Sequence, residues 1–307
     1  MGGRLATVRA NATEYSFRPG VGCGTVITML DDAAIARVAE IIREVSATEI
    51  LPRFGRLGEG DITEKLPGDI VTVADKAAER ELSALLTRLL PGSRVVGEEA
   101  VFADRGVLEA LEGPDPVWVI DPIDGTENYA NANARFTVLV ALARGGELEA
   151  SWIYQPCFGR MAHAVRDGGA FLDGEPLRVA AAPDPEAGLM DVDISTSRPK
   201  FWTEQARLAI SALSTHGAWL TYSDGAGLEY LTLASGTRTA ALMVWENVWD
   251  HAAGLLLHSE AGGVTIASDG SPFRLAGGNA LPFAVAPDAA TAKALIEATT
   301  QRVEFDR

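Results

Sequence analysis

The run Val117-Trp118-Val119-Ile120-Asp121-Pro122-Ile123-Asp124-Gly125-Thr126, near the middle of a 307-residue chain, carries four consecutive apolar residues straight into two carboxylates and a turn. A short apolar run of this kind reads as a buried strand, and its far end is a place where sites are built. Pro122 stiffens the corner, Ile123 can offer its carbonyl, and a helix opening at Gly125-Thr126 would turn free amides toward a phosphate. Hard oxygen donors in such an arrangement suit Mg2+. Taken alone, an Asp-rich turn with glycine is more often an ordinary capped loop.

Two neighbouring segments change that weighing. Upstream, Val95-Val96 runs into Gly97-Glu98-Glu99, where adjacent acids at a strand end are either solvated or in need of a partner or a cation. Downstream, Trp249-Asp250-His251-Ala252-Ala253-Gly254 places an acid at the start of a helix that closes on Glu260-Ala261-Gly262-Gly263; its plain reading is an N-cap. Around these, Ile35, Val38, Ala39, Ile42 and Val45 form one face of a helix that Asp31 and Asp32 can cap. A second helix is expected over residues 75–90, stopped by Pro91-Gly92. The Gly-rich polar stretch 54–68, with Lys65, Pro67 and Gly68, predicts a mobile loop. Residues 136–143 and 149–154, joined by Gly145-Gly146, predict a hairpin, with a further strand at 161–165. After an Ala/Pro-rich stretch the pattern becomes alternating strands and helices, beginning with a strand at 191–195 and a helix around Trp202 to Leu213. The expected organisation is an N-terminal extension over 1–28, an α+β half over 29–183 and an α/β half over 184–307.

With 47% hydrophobic and 22% charged residues the chain has an ordinary globular composition. A formal net charge of -16 and the absence of a Lys/Arg run argue against binding to nucleic acid or an anionic membrane surface. The acidity is compatible with a divalent-metal protein, although a solvated acidic surface is the commoner cause. Cys23 and Cys157 are too few for a disulfide framework, which points to a reducing cytoplasm, and no apolar run approaches the roughly 20 residues needed to span a bilayer.

Together the segments resemble the inositol monophosphatase family, whose members share a GEE segment, a DPxDGTxN[FY] segment and a WDxAAGxxxxxEAGG segment in this order. A fourth match, Gly68-Asp69-Ile70-Val71-Thr72-Val73-Ala74-Asp75, is similar to the family's DLVTxxD, and the resemblance runs from about Ile35 to about Ala290. It implies an α/β (α+β) fold, a layered αβαβα sandwich of the inositol monophosphatase and fructose-1,6-bisphosphatase type. It implies a lithium-sensitive phosphomonoesterase, a homodimer that uses two or three Mg2+ ions and an activated water on a small phosphorylated metabolite. By the same resemblance, Glu98, Asp121, the Ile123 carbonyl and Asp124 hold the first metals, Asp250 completes a second site, and Asp75 stands near a third. Thr126, hydrogen-bonded to Asp75, and Glu98 surround the attacking water; the Gly125 and Thr126 amides face the phosphate, and Gly225 and Ala226 face the substrate.

Departures fall on the substrate side. Met243 stands seven residues before Asp250, where inositol-specific members carry a Glu, and Asp224-Gly225-Ala226 replaces the usual Gly-Ser/Thr-Ala. Lys65 resembles the basic residue of the family's flexible metal loop but lies one residue closer to Asp69, while Glu99 is a supporting acid and His163, His216, His251 and His258 match no ligand. The spacing of Asp121 and Asp124 disfavours haloacid-dehalogenase chemistry, and no GxxxxGK[ST] loop is present. Phosphatases for histidinol phosphate, fructose 1,6-bisphosphate or a 3'-phosphonucleotide stay open, as does a non-catalytic, metal-stabilised partner protein.

Overall fold

Asp31 caps the first helix as its position suggests: its Oδ1 accepts the Ala34 amide at 2.8 Å, and α1 (Asp32–Val45) then buries Ile35, Val38, Ala39, Ile42 and Val45. The computed structural model describes residues 30–184, 189–190 and 192–300. The expected extension over 1–28, Cys23 within it, and 185–188 of the boundary stretch lie outside the described residues.

The stretch read as a loop over 54–68 is only partly one. Residues 62–66 form β1 (Ile62–Leu66), which pairs antiparallel with β2 (Asp69–Thr72) around Gly68 at φ 80. Period-two patterning fails to mark this hairpin because β1 is exposed at every position but Lys65, so it buries no apolar face. Next, α2 (Val73–Leu89) starts two residues earlier than expected. Thr72 is its N-cap and Asp75 the third residue of a capping box, so Asp75 lies inside the first turn.

The central sheet has the order β3-β4-β5-β6-β7-β8-β9, built from β3 (Arg94–Gly97), β4 (Pro116–Asp124), β5 (Thr137–Arg144), β6 (Glu147–Gln155), β7 (Arg160–Val165), β8 (Gly169–Leu172) and β9 (Glu175–Pro176). β3 and β4 are parallel and the rest antiparallel. The short α3 (Glu98–Ala103) follows β3, and α4 (Thr126–Ala130) follows β4. Both faces of the sheet are covered. Trp118 and Ile120 of β4 and Val138, Val140 and Leu142 of β5 pack toward α1 and α2, while Val117, Val119, Leu139, Ala141 and Ala143 pack into a second cluster on the other side. This explains why β4 and β5 read as continuous apolar runs.

The second sheet, of order β11-β10-β12-β14-β13, contains β10 (Asp193–Thr196), β11 (Trp219–Tyr222), β12 (Ala240–Met243), β13 (Val264–Ala267) and β14 (Phe283–Ala286). Helix α5 (Glu204–Ser214) is capped by Thr203, so Trp202 stands before the helix it was expected to occupy. With α8 (Ala289–Thr300), α5 covers the outer face, where Ile210, Leu213, Leu295 and Ile296 share a cluster with Ile194, Leu242 and Ala284. Between the sheets lie α6 (Ala226–Ala234) and α7 (Val248–Glu260), whose Tyr230, Leu233, Ala253 and Leu257 share one core with residues of both sheets. The layers run α1/α2, seven-stranded sheet, α6/α7, five-stranded sheet, α5/α8, which is the expected αβαβα order.

Candidate active site

Two carboxylates three residues apart on a regular strand would point to opposite faces. On β4 they do not, because the pairing with β5 slips: Asp121 is opposite Leu139 but Asp124 is opposite Thr137, so three steps on β4 match two on β5. This bulge over Pro122 and Ile123 brings both acids to the α6/α7 side and leaves Ile123 fully buried against the α1/α2 side. Asp250, in the first turn of α7, meets them there; one carboxylate oxygen from each of Asp121, Asp124 and Asp250 lies within 4.8 Å of the others.

Each acid is held in place. Asp124 accepts Thr137 Oγ1 at 2.8 Å, the Ala226 amide at 2.9 Å and the Gly227 amide at 2.8 Å, so α6 begins on a carboxylate of the other sheet. Gly225 fits here only as glycine, since a Cβ would stand 2.7 Å from Asp124 Oδ2. Asp121 Oδ1 accepts the Ile123 amide at 3.0 Å, and Asp250 Oδ2 accepts the Trp245 indole at 2.7 Å. Asp75 accepts Thr72 through Oδ2 and Thr126 Oγ1 through Oδ1 at 3.2 Å; the same Thr126 hydroxyl lies 3.0 Å from the Ile123 carbonyl. Gly125, at φ 89, is the left-handed corner from which α4 starts.

Glu98 is not part of the 4.8 Å set. Its Oε1 is 2.6 Å from Lys65 Nζ, which also binds Glu99 Oε1 at 3.0 Å, and the Lys65 side chain is 4% exposed. Behind them Glu79 of α2 accepts the amides of Glu99 and Ala100 at 2.8 and 2.9 Å, fixing the start of α3. A Cβ at Gly97 would collide with that carboxylate at 2.4 Å, which is the local reason for glycine before the two acids. Thr72, Glu79, Thr137 and Trp245 were not anticipated. Gly97 was the available signal for Glu79, and nothing in the sequence pattern marks Thr137 or Trp245.

The whole segment 25–304 matches the model of the inositol monophosphatase family. The chain belongs to the inositol monophosphatase family. Among its relatives, "Inositol monophosphatase" of Dictyostelium discoideum is 31% identical over 241 residues, 78% of this chain and 86% of that one. "Nus factor SuhB" of Pseudomonas aeruginosa is 32% identical over 228 residues, covering 74% and 83%. The solved Thermotoga maritima IMPase superposes with a TM-score of 0.71 at 23% identity over 87% of this chain and 96% of that one, a likeness of fold.

In this member of the inositol monophosphatase family the acids crowd one another. Burial and the charges of Glu98, Asp124, Asp250 and Asp75 hold the Asp121 carboxyl well above the usual carboxylate range. Burial, with the charge of Asp124, pushes Asp250 up to about 7, and burial pushes Glu98 up to about 8 despite Lys65 beside it. Burial also raises Asp124, against its Gly227 and Thr137 hydrogen bonds, and takes Asp75 to about 6 against those from Thr72. Such a set is short of positive charge. Hard carboxylate oxygens converging from β4 and α7 fit a divalent cation, and among the described residues Asp121, Asp124 and Asp250 are the group able to hold one.

Proposed function

We propose that this chain is a Mg2+-dependent phosphomonoesterase that releases phosphate from a small phosphorylated metabolite in a reducing cytoplasm. The observation that carries the reading is the convergence of Asp121 and Asp124 of β4 with Asp250 of α7, far apart in sequence, beside the Gly125-Thr126 corner. Asp121, Asp124, Asp250, Glu98 and the Ile123 carbonyl would hold two or three cations, with Asp75 at the edge of the set. When bound, the cations would lower the pKa of a water and neutralise phosphate oxygens in an in-line displacement.

The chain's own groups do the rest. The Thr126 hydroxyl donates its hydrogen bond to Asp75 or the Ile123 carbonyl, which leaves its oxygen lone pairs free to accept one from the attacking water. Glu98 can take a position beside the same water once Lys65 yields it. The Gly125 and Thr126 amides orient the phosphate, and Gly225 and Ala226, anchored on Asp124, border the leaving group. Lithium sensitivity and a homodimer belong to the same reading.

The test is Mg2+-dependent phosphate release from inositol 1-phosphate, glycerol 2-phosphate, histidinol phosphate and a nucleoside monophosphate. Asp121→Asn and Asp250→Asn are expected to lower kcat by at least about a hundredfold with the fold intact by circular dichroism. Near-normal rates in either variant, or no release from any ester by folded wild-type protein, would overturn the reading. A relative named as a Nus factor raises a second possibility, a non-catalytic partner protein. The complete carboxylate set favours turnover.

A further inference from the structure

Directly outside the Gly125-Thr126 corner, on a chain of net charge -16, three cations gather on two carboxylates. Arg135 Nε is 2.5 Å from Asp224 Oδ2, Arg198 reaches Asp224 Oδ1 at 2.7 Å and Glu127 Oε2 at 3.4 Å, and Lys200 Nζ is 2.6 Å from Glu127 Oε2. Glu127 lies in the first turn of α4 and Arg135 follows that helix, on the side of the seven-stranded sheet; Arg198, Lys200 and Asp224 follow β10 and β11 of the other sheet. The cluster therefore spans the mouth between the sheets.

Its backbone is fixed to the proposed phosphate cradle. A Cβ on Gly125 would lie 3.3 Å from the Arg135 carbonyl and 3.4 Å from that of Asp224. Asn128 Nδ2 donates to both of these carbonyls at 2.8 Å, and Asp224 precedes the Gly225-Ala226 segment bound to Asp124. The side chains stay accessible, with Arg135 59%, Lys200 39% and Arg198 36% exposed. Burial alone would raise the Asp224 carboxyl, but Arg198 and Arg135 hold it below the usual range.

We propose that Arg135, Arg198 and Lys200 form a specificity subsite for a second anionic group, phosphate or carboxylate, carried by the alcohol part of the substrate. The inference rests on the phosphomonoesterase reading and narrows its substrate class to doubly anionic esters. Guanidinium groups suit both anions because their paired N–H donors match two oxygens at once. An arriving anion meets the accessible guanidinium groups of Arg135 and Arg198 and can replace Glu127 or Asp224 as a partner. Exposed pairs of this type are individually weak, so the exchange costs little.

The experiment compares kcat/KM within two pairs at saturating Mg2+: glycerol 2-phosphate against 2-phosphoglycerate, and fructose 1-phosphate against fructose 1,6-bisphosphate. The subsite predicts at least about a tenfold preference for the doubly anionic member of one pair, carried mainly in KM and shrinking as NaCl rises. The favoured pair identifies carboxylate or phosphate as the group recognised. In Arg135→Gln and Arg198→Gln the preference should fall toward one, with unchanged thermal melting showing that the fold is retained. Ratios near one in the wild type, or a preference that both variants keep, would overturn the subsite while leaving the phosphatase reading in place. No phosphate release from any of the four esters would remove that reading and the subsite with it.

Discussion

Trp245 holds the acid that completes the cluster. Its indole donates to Asp250 Oδ2 at 2.7 Å, Asn247 Nδ2 reaches the same oxygen at 3.3 Å, and the Trp245 carbonyl lies 3.1 Å from His251 Nε2. The carboxylate is thus oriented before any cation arrives, and partners that orient ligands in this way commonly change metal affinity by about 10–100-fold. Trp245→Phe keeps an aromatic ring at the position that packs 4.8 Å from His251 and removes the indole N–H donor. It is expected to weaken Mg2+ binding by roughly tenfold in calorimetric titration; an unchanged affinity would show that the hydrogen bond does not set the ligand. Met243 belongs to the same neighbourhood but not to a polar wall: it is 1% exposed, sits opposite Phe283 and packs in the core between the sheets. A hydroxyl-binding Glu is therefore replaced by apolar packing, and selectivity for an inositol ester should be relaxed by about 1–3 kcal/mol. Steady-state kcat/KM for inositol 1-phosphate against glycerol 2-phosphate checks this, and a preference above about a hundredfold for the inositol ester would contradict it.

Helix α6 packs so closely on β5 and on α7 that two glycines become obligatory. A Cβ at Gly227 would stand 2.2 Å from Thr137 Oγ1, and one at Gly254 would stand 2.0 Å from the Tyr230 ring. Tyr230 is fully buried and its hydroxyl lies 3.1 Å from His251 Nδ1, so it has no room to retreat. Gly254→Ala should cost about 1–3 kcal/mol through overpacking, read as a lower urea midpoint with an unchanged m-value; a loss under about 0.5 kcal/mol would mean that the helices separate more easily than this contact implies. The motif Trp249-Asp250-His251-Ala252-Ala253-Gly254 thus combines an acid facing the cluster with a glycine that lets its helix pack. Elements with an apolar period, such as α1, β4 and β5, were legible for the same reason that they are stable: their buried faces repeat. β1 is hard to tell from a loop because the one residue it does not expose is Lys65, whose partners Glu98 and Glu99 are more than thirty residues away. Asp75 was legible as an acid near the cluster, but its place inside a helical turn depended on the Thr72 cap.

At the scale of the molecule, the sequence could supply the acids and their order but not the bulge that turns Asp121 and Asp124 to one face, because strand register depends on what β5 offers opposite. The consequence of that register is a fold carrying several buried carboxyls that hold protons tightly: Glu98 is pushed up to about 8, and Asp250 and Glu79 to about 7, chiefly by burial. A carboxyl whose pKa is higher in the folded than in the unfolded state favours the folded form at low pH. That advantage is lost as pH rises from the unfolded value of about 4 through the folded one. The buried histidines act with the opposite sign. Burial lowers His163 and His258 to about 4 and His251 to about 3, so their contribution is present above the unfolded value near 6.5 and is lost as pH falls below it. Above about pH 6.5 the unfolded histidines give up their remaining protons, which offsets only part of the carboxyl slope. The metal-free protein is therefore expected to lose roughly 1–3 kcal/mol between pH 6.5 and 8, seen as a falling Tm in the presence of a chelator. Saturating Mg2+ should flatten or reverse that slope, because a cation bound by the ionised acids stabilises the state that chelation penalises. A chelated protein whose Tm is flat or rising over this interval would show that Glu98, Asp250 and Glu79 do not hold protons in the fold, and a slope that Mg2+ leaves unchanged would show that no cation binds the ionised acids.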